Sequence, residues 1–435
     1  MSRLSARSIP RLVTAIVSLS AVLPSLALAQ GPSAAPVAPA APEPAHVAKA
    51  RAMIAKGAAF LRAQQDQNTG GWSVPASPGG SDPDAKGSPH YPAITALAAA
   101  ALHADSTPQV NDTARQAALK YLLNFQQPDG GIYDRILPNY NTSIAVSALA
   151  TYDSPRAKSA TARAVEFLKK LQWSEFSVKD ESLADSPSPI TKDHVYYGGV
   201  GYGHHGRPDN SNLGMMLQAL HDAGVSPDDP AFQRALTFLQ RTQMLDSVND
   251  MPYADGSKQG GFIYATVENA QSVEGRAGQS QAAEKIEETL DDGTTVSRLR
   301  CYGSMTYTGF KSYLYAQLSH DDPRVRAAYD WIRRNYSVSE NPGLGDSGLY
   351  YYFTVMARAL AAWGSPRIDT LAPDGSTAPT RWTQDLVNRL AELQNPDGSF
   401  KSVANRWMEN NPVLITSYAL IALDEAIRAE HKAAK

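Results

Sequence analysis

The sequence predicts an all-α fold built from six pairs of helices. An amphipathic stretch recurs six times along the 435 residues, and in several copies it ends in an aromatic-Leu-x-x-x-Gln pattern. A Gly-rich turn follows each clear copy, and then a second, almost uncharged helix begins. The clearest copies lie at 60–72, 121–133 and 389–400, whereas the copy at 331–336 is degenerate, with Tyr336 where Gln is expected. Repeats of this kind determine the architecture before any other feature.

The two helices of each pair differ in polarity. The first helix carries Lys and Arg among Leu, Ile and Phe at helical spacing, which indicates an outer helix with one face in water. These predicted outer helices are 48–65, 111–126, 156–172, 230–243, 323–336 and 382–394. The second helices, which begin near residues 92, 142, 213, 303, 349 and 412, are apolar nearly all round. Such helices are buried on all sides.

Six outer-inner pairs can close into a ring, which leaves no exposed repeat ends. The inner helices would then line a central cavity. An open solenoid is the alternative. Two insertions, near 174–208 and 245–300, interrupt pairs on the side where inner helices begin. Long loops within a compact domain are commonly functional, so we expect both to border the mouth of the cavity.

The N-terminal segment 1–29 has the features of a signal peptide. Arg3, Arg7 and Arg11 precede an apolar run, and Ala27 and Ala29 form a small-x-small cleavage site. We expect a mature, exported chain from Gln30, periplasmic or extracellular, without a transmembrane span. An uncleaved anchor is the alternative reading. Residues 30–46 read as a Pro/Ala-rich linker, and 47–435 as the helical ring.

Composition excludes some classes of partner and bond. The net charge of −3 gives no basic footprint for nucleic acid. Cys301 is the only cysteine, so the chain cannot form an internal disulfide, and we expect an inert buried thiol. The sequence contains no phosphate-binding glycine loop, Ser nucleophile elbow or His-Glu-x-x-His site. We therefore predict no cofactor and no metal.

The Gln-x-x-x-Gly-Gly-aromatic turns and the paired helices resemble the terpene cyclase and protein prenyltransferase superfamily, over essentially 48–426. The resemblance implies an (α/α)6 toroid. It says little about function, because repeats are scaffold.

The segment 196–212, which enters the third inner helix, resembles the region of squalene-type cyclases that carries a Pro-Asp-x-Asp-Asp-Thr motif. In that family the middle Asp protonates an alkene above an aromatic pocket. Pro208 and Asp209 match the motif, but Ser211 stands where the proton donor should be and Asn212 replaces the last Asp. The resemblance leaves Asp209 as the candidate catalytic carboxyl group, in a degraded motif.

The segments 259–262 and 298–302 resemble prenyltransferase β subunits, which bind zinc and a diphosphate there. Leu299 occupies the zinc-binding Asp position and no His follows in the next inner helix, so we reject prenyl transfer. One thiol does not make a zinc site. Arg298 and Arg300 are candidates to hold an anionic group, with pairing to Asp291 or Asp292 as the alternative.

Side chains near the predicted mouth are the candidate ligand contacts. The densest polar and aromatic cluster lies in 196–212, and further tyrosines begin the fourth and fifth inner helices. A capped Gly loop and ordinary core aromatics are the alternative readings. Lys311 and Arg358 are the notable charges within inner helices, and a buried charge needs a partner. The predicted ligand-binding residues are Tyr197, Tyr202, His204, His205, Arg207, Asn210, Asn212, Arg298, Arg300, Tyr302, Tyr307, Tyr350 and Tyr351.

Three functions remain open. The first is an exported ring that binds, and in some form transforms, an isoprenoid or other small apolar ligand. The second is a polysaccharide lyase or glycosidase-like enzyme, in which Tyr202, His204, His205 and Arg207 would serve a lyase. The third is a non-enzymatic scaffold that presents its loops to a partner.

Overall fold

The structure is a computed structural model, and it describes residues 43–72, 89–105, 112–177, 189–203, 207–268 and 276–434. This described part is mainly helical, as predicted. Its twelve α-helices are α1 Ala45–Gln64, α2 Pro92–His103, α3 Thr113–Asn124, α4 Pro138–Leu149, α5 Pro155–Lys170, α6 Asn210–Asp222, α7 Pro230–Thr242, α8 Gly303–Tyr315, α9 Pro323–Arg334, α10 Leu349–Trp363, α11 Trp382–Leu393 and α12 Pro412–Ala433. The predicted signal peptide and most of the linker lie outside the described residues.

Each odd-numbered helix exposes one face to solvent, and local sequence signals determine where these helices begin and end. In α9, Asp322 accepts a hydrogen bond from the backbone N–H of Arg324, and Pro323 occupies the first turn. Both features favour a helix start, because they satisfy or remove unpaired N–H groups. The buried residues of α9 are Val325, Ala328, Trp331 and Ile332, spaced three or four apart on one face.

The even-numbered helices are buried on nearly every side. In α8, for example, every residue from Gly303 to Tyr313 is buried. Each even helix contacts the next one along the chain, and α12 contacts both α10 and α2. The even helices thus form an unbroken cycle of contacts, and the odd helices pack around them.

The repeated glutamines join successive odd helices. Gln126 Nε2 donates to the carbonyl of Gly130 in its own turn (3.0 Å) and to that of Ala160 in α5 (2.9 Å). The corresponding amides of Gln65, Gln172 and Gln243 make the same two kinds of bond, to α3, α7 and α9. Each glutamine therefore fixes its turn and the start of the next odd helix together.

The last glutamine returns to the first helix. Gln394 Nε2 donates to the carbonyls of Gly398 (3.2 Å) and Met53 in α1 (2.9 Å). At the degenerate repeat, Tyr336 reaches the next odd helix in another way, since its hydroxyl donates to Asp385 Oδ2 in α11 (3.2 Å).

A buried carboxylate strengthens the contact between the two ends of the described chain. Glu430 in α12 accepts two hydrogen bonds from Arg381 (2.8 and 2.7 Å) and faces His46 Nε2 in α1 (2.9 Å). Burial opposes the charged form, but the bonds from Arg381, Thr383 and His46 outweigh it and lower the pKa of Glu430 to about 2.

The prediction of an all-α chain was incomplete, because the structure contains three antiparallel hairpins. Their strands are β1 Ala265–Glu268, β2 Arg276–Gln279, β3 Lys285–Thr289, β4 Thr295–Leu299, β5 Ile368–Leu371 and β6 Thr377–Thr380. Four of them lie within the insertion predicted at 245–300. The signal is present in the sequence, since Asp292-Gly293 and Asp374-Gly375 are hairpin turn dipeptides flanked by β-branched residues.

None of the helices in the described residues is long and apolar enough to cross a membrane.

Replacement of a bridging glutamine should destabilise the fold. Gln172→Ala would remove the donor to the buried carbonyl of Gly198 and one of the donors to that of Ala231, which also accepts within α7. An unsatisfied buried acceptor costs about 1–3 kcal/mol. We expect a loss of about 1–3 kcal/mol in the free energy of unfolding, measured by urea denaturation. The control is Gln233→Ala, because Gln233 is exposed and makes a single bond to Pro227. Equal effects of the two variants would contradict a structural role for the bridge.

Candidate functional site

A cavity of about 110 Å³ lies where the even helices begin, and we call it the upper cavity. Its wall is mainly aromatic, with two methionines, two serines, one glutamine and one carboxyl group. Residues from the loops before α6, α8 and α12 contribute beside those of the helices themselves. The lining residues are Tyr140, Tyr202, Ser211, Met215, Tyr264, Gln281, Tyr302, Ser304, Met305, Tyr351, Trp407, Glu409 and Tyr418.

Glu409 supplies the carboxyl group, and one of its oxygens is unused. Its Oε1 accepts hydrogen bonds from the backbone N–H groups of Tyr350 (2.9 Å) and Tyr351 (3.0 Å) at the start of α10. Its Oε2 is buried and has no hydrogen-bond partner among the described residues. Burial raises the pKa of Glu409 to about 7, against the effect of the backbone donors. Near neutral pH the group can therefore hold a proton on Oε2.

The loop that carries Glu409 is conformationally unusual. Trp407 and Met408 both adopt left-handed backbone conformations, with φ of 54° and 65°. Non-glycine residues rarely do so, and such residues cluster at functional sites. Trp407 is 46% exposed although it lines the upper cavity. Beside it, Arg406 donates to Gln281 Oε1 (2.8 Å), so the loop and the insertion meet at the mouth.

Three of the predicted ligand contacts line this cavity, namely Tyr202, Tyr302 and Tyr351. Tyr202 and Gln281 come from the two predicted insertions, so both insertions contribute to the wall. Burial is the largest influence on all three tyrosines and raises their pKa. They are therefore neutral hydroxyl groups at neutral pH.

Asp209 lies behind the wall and is not among the residues that line the cavity. It is the N-terminal cap of α6, where its Oδ1 accepts from the backbone N–H of Asn212 and its Oδ2 from the Asn212 side chain, both at 2.9 Å. It is fully buried, and burial raises its pKa. The arrangement gives Asp209 a structural role, while its predicted catalytic role stays untested.

The remaining polar candidates of the 196–212 segment are held by the protein. Tyr197 donates to Glu175 Oε2 (2.8 Å), and Asn210 donates to the carbonyl of Ile263 (2.8 Å). Arg207 donates to Gln279 and lies 5.3 Å from the ring centre of Tyr264, which lines the cavity. His204 and His205 lie outside the described residues.

The basic and aromatic candidates further along the chain also have protein partners. Arg298 and Arg300 lie near Glu288 (3.5 Å) and Glu284 (3.4 Å), rather than near the Asp residues considered above. Tyr350 donates to the carbonyl of Lys401 (2.6 Å). Tyr307 is the exception: its ring is fully buried and packs edge-on against that of Tyr352, but its hydroxyl group has no hydrogen-bond partner among the described residues.

Two lesser predictions concern Cys301 and metal binding. Burial raises the pKa of the Cys301 thiol well above its usual value, which makes it a poor nucleophile. Among the described residues, no group of three His, Cys, Asp or Glu side chains is placed to hold a metal ion.

The wall residues Glu409, Trp407, Tyr140, Tyr264 and Tyr418 were not predicted from the sequence. One signal could have found the first two, because 406–411 precedes the last inner helix just as 207–209 precedes the third. Every loop that leads into an even helix ends near the mouth, so a lone carboxyl group there was a candidate.

Comparison with known proteins gives similarity in structure only. No protein family model matches the chain, and no curated protein matches it in sequence. A family 76 glycoside hydrolase from a bovine Bacteroides thetaiotaomicron strain superposes with a TM-score of 0.51 at 11% identity, over 87% of this chain and 78% of that one. A D-mannose isomerase gives 0.50 at 12% identity, over 88% and 99% of the two chains.

A type II terpene cyclase, MstE from Scytonema, is also among the similar structures, as the resemblance in the repeats led us to expect. Its TM-score is 0.45 at 15% identity, over 88% of this chain and 99% of that one. At such identities, structural similarity speaks to the fold alone.

The charge state of Glu409 should make stability depend on pH. Its pKa rises from 4.5 to about 7 on folding, so the folded state binds more protons than the unfolded state between these values. The contribution of Glu409 to stability is therefore fully present below about pH 4.5 and is lost as the pH rises through about 7.

Glu409→Gln removes this titration. We expect its unfolding free energy, relative to the wild type, to rise by up to ~3 kcal/mol between pH 4.5 and pH 8. Denaturation at a series of pH values measures the difference. A difference that does not change with pH would show that Glu409 has an ordinary pKa.

Proposed function

We propose that this chain is an exported (α/α)6 toroid that binds an oxygen-bearing isoprenoid or similar apolar molecule in the upper cavity, where Glu409 acts as a general acid. The unpartnered Oε2 of Glu409 in an aromatic wall carries the proposal.

The toroid is supported by two features of the described chain. The contact cycle of the even helices has no open end, and Gln394 links the last odd helix to the first. An open solenoid would expose the ends of its terminal repeats. Export is proposed from the signal-peptide features of 1–29 alone.

The wall chemistry favours an apolar ligand of modest size. A dry cavity of about 150 Å³ can hold benzene, so about 110 Å³ suits one end of an isoprenoid, such as a single branched five-carbon unit. Tyrosine and tryptophan faces also stabilise positive charge. A carbocation formed at the ligand would therefore face a favourable wall.

The acidity of Glu409 limits the reaction that it can assist. A carboxylic acid with a pKa of about 7 is too weak to protonate an unactivated alkene efficiently, but it is well suited to an oxygen atom at neutral pH. The proton would move from Oε2 to an epoxide or hydroxyl oxygen while the C–O bond breaks. The bonding electrons would leave with the oxygen, and positive charge would develop on carbon.

The carbohydrate alternative finds less support in this cavity. Most glycosidases use two carboxyl groups that flank the scissile bond. Among the described lining residues, Glu409 is the only carboxyl group. A lyase mechanism through His204 and His205 is kept as an outcome of the experiment below.

A thermal-shift series of the purified protein tests the ligand class. The panel contains isoprenoid alcohols and epoxides, the parent hydrocarbons, and acidic oligosaccharides. A ligand at 100 times its Kd adds about 2.7 kcal/mol, which corresponds to a few degrees in Tm for a domain of this size. We expect shifts with the oxygenated isoprenoids. Shifts with oligosaccharides alone would overturn the proposal in favour of the carbohydrate alternative.

Two matched variants then separate the two candidate carboxyl groups. For any isoprenoid that is turned over, Glu409→Gln should lower kcat at least a hundredfold with little loss of binding. Asp209→Asn keeps a capping side chain on α6 and should leave kcat within a fewfold of the wild type. The opposite pattern would transfer the acid role to Asp209, as the resemblance to squalene-type cyclases implies.

A further inference from the structure

A second cavity of about 50 Å³ lies deeper among the even helices, and we call it the middle cavity. Met215, Tyr351 and Tyr418 line both this cavity and the upper cavity. Most of its wall is apolar, from Leu97, Ala100, Ile144, Val355 and Ile421 among others. Two cationic side chains, Lys311 of α8 and Arg358 of α10, interrupt this apolar wall.

Lys311 is buried with little compensation for its charge. It is 3% exposed, and its Nζ donates to Gln218 Oε1 (2.7 Å) and lies 5.5 Å from the ring centre of Tyr315. Within the described chain, no carboxylate lies within ion-pair distance of Nζ. An ammonium group has three protons to donate, so part of its donor capacity is unused. Burial, followed by the charge of Arg358, lowers the pKa of Lys311 to about 7.

Arg358 is also incompletely paired. Its Nε is 3.6 Å from Glu425 Oε1 and has no hydrogen-bond acceptor, although the atom is buried. The side chain lines the middle cavity and a further cavity below it. A buried donor without an acceptor is destabilising, so an acceptor in the cavity would relieve this cost.

The other titratable groups around this pair come from three helices. On α6, burial raises the pKa of Asp222, but hydrogen bonds from His221 and the charge of Arg358 outweigh it and leave the pKa low. On α12, burial raises the pKa of Glu425 despite Arg358. On α8, burial raises the pKa of Tyr315. Asp222 is therefore the group near Lys311 and Arg358 that is most fully ionised at neutral pH.

We propose that the middle cavity binds the carboxylate of an apolar acid, with one oxygen toward Lys311 Nζ and the other toward Arg358. The apolar chain of that acid would extend past Met215 into the upper cavity. The placement of the chain rests on the proposed function, whereas the carboxylate site does not. The ligand class is thus narrowed to isoprenoid or similar apolar carboxylic acids.

Binding at this site requires a charged Lys311. Above about pH 7 the free protein must take up a proton when the acid binds, so affinity for the carboxylate falls by up to tenfold per pH unit. A neutral amide of the same chain places no such demand on the lysine.

The test compares a long-chain isoprenoid acid with its primary amide, and adds butanoate as a probe whose carboxylate would lie in the middle cavity and whose short chain cannot fill the upper cavity as well. Isothermal titration calorimetry at pH 6 and pH 8 measures affinity, and buffers of different ionisation enthalpy measure proton uptake. The variant is Lys311→Met, which keeps most of the side-chain volume and removes a buried charge. The control is Lys120→Met, because Lys120 is exposed on α3.

We expect the wild type and Lys120→Met to prefer the acid over the amide at least tenfold at pH 6, with a smaller preference and measurable proton uptake at pH 8. Lys311→Met should lose the preference and keep its affinity for the amide. Equal binding of acid and amide by the wild type would overturn the proposed carboxylate site. A preference for the acid that persists in Lys311→Met would overturn it as well.

Butanoate separates this inference from the proposed function. Butanoate binding that depends on Lys311, without binding of the long acid or the amide, would support the anion site. The same result would contradict the proposal that an apolar ligand binds in the upper cavity. Binding of the amide, without binding of butanoate or of the long acid, would retain the apolar ligand in the upper cavity and overturn the anion site.

Discussion

Five of the six helix pairs are joined to the next pair by the same contact, which a glutamine side-chain amide makes. In the turns after α1, α3, α5, α7 and α11, a glutamine Nε2 donates both to a glycine carbonyl of its own turn and to a carbonyl of the following odd helix. The geometry also requires glycine. At Gly398, φ is +93°, and a Cβ atom would lie 2.3 Å from the carbonyl oxygen of Lys56 in α1. The turn therefore fits against the neighbouring helix only without a side chain.

This regular contact explains why the turns could be predicted from a local pattern, whereas the contacts of Glu409 could not. Gln126 and Gly130 act within one local pattern, which the sequence repeats, so pattern alone identified the helix pairs. Glu409 accepts a hydrogen bond from the backbone N–H of Tyr351 at the start of α10, and the two residues are 58 positions apart in the chain. No periodicity links such positions, and only the fold brings them together. The hairpins, in contrast, have a local signal, since Asp292-Gly293 is a hairpin turn dipeptide between β3 and β4.

Asp209 illustrates the limit of the resemblance. A carboxyl group is present at the motif position, yet both of its oxygens accept hydrogen bonds from Asn212, the residue that replaces the last Asp of the motif. In Glu409 one oxygen is similarly used by backbone N–H groups, but the other is free. A proton donor needs an oxygen that can reach its substrate, and the loop strained at Trp407 and Met408 places Glu409 in the wall of the upper cavity.

Burial acts in opposite directions on the two key ionisable groups of the interior. Burial raises the pKa of Glu409 to about 7 and lowers the pKa of Lys311 to about 7. Desolvation favours the neutral form of each group, so near neutral pH each is poised between its charged and its neutral form. An apolar chain in the upper cavity then meets a wall whose carboxyl group, Glu409, can be neutral. A carboxylate, in contrast, would recharge Lys311 as it enters, so the ligand itself would supply the partner that this buried lysine lacks.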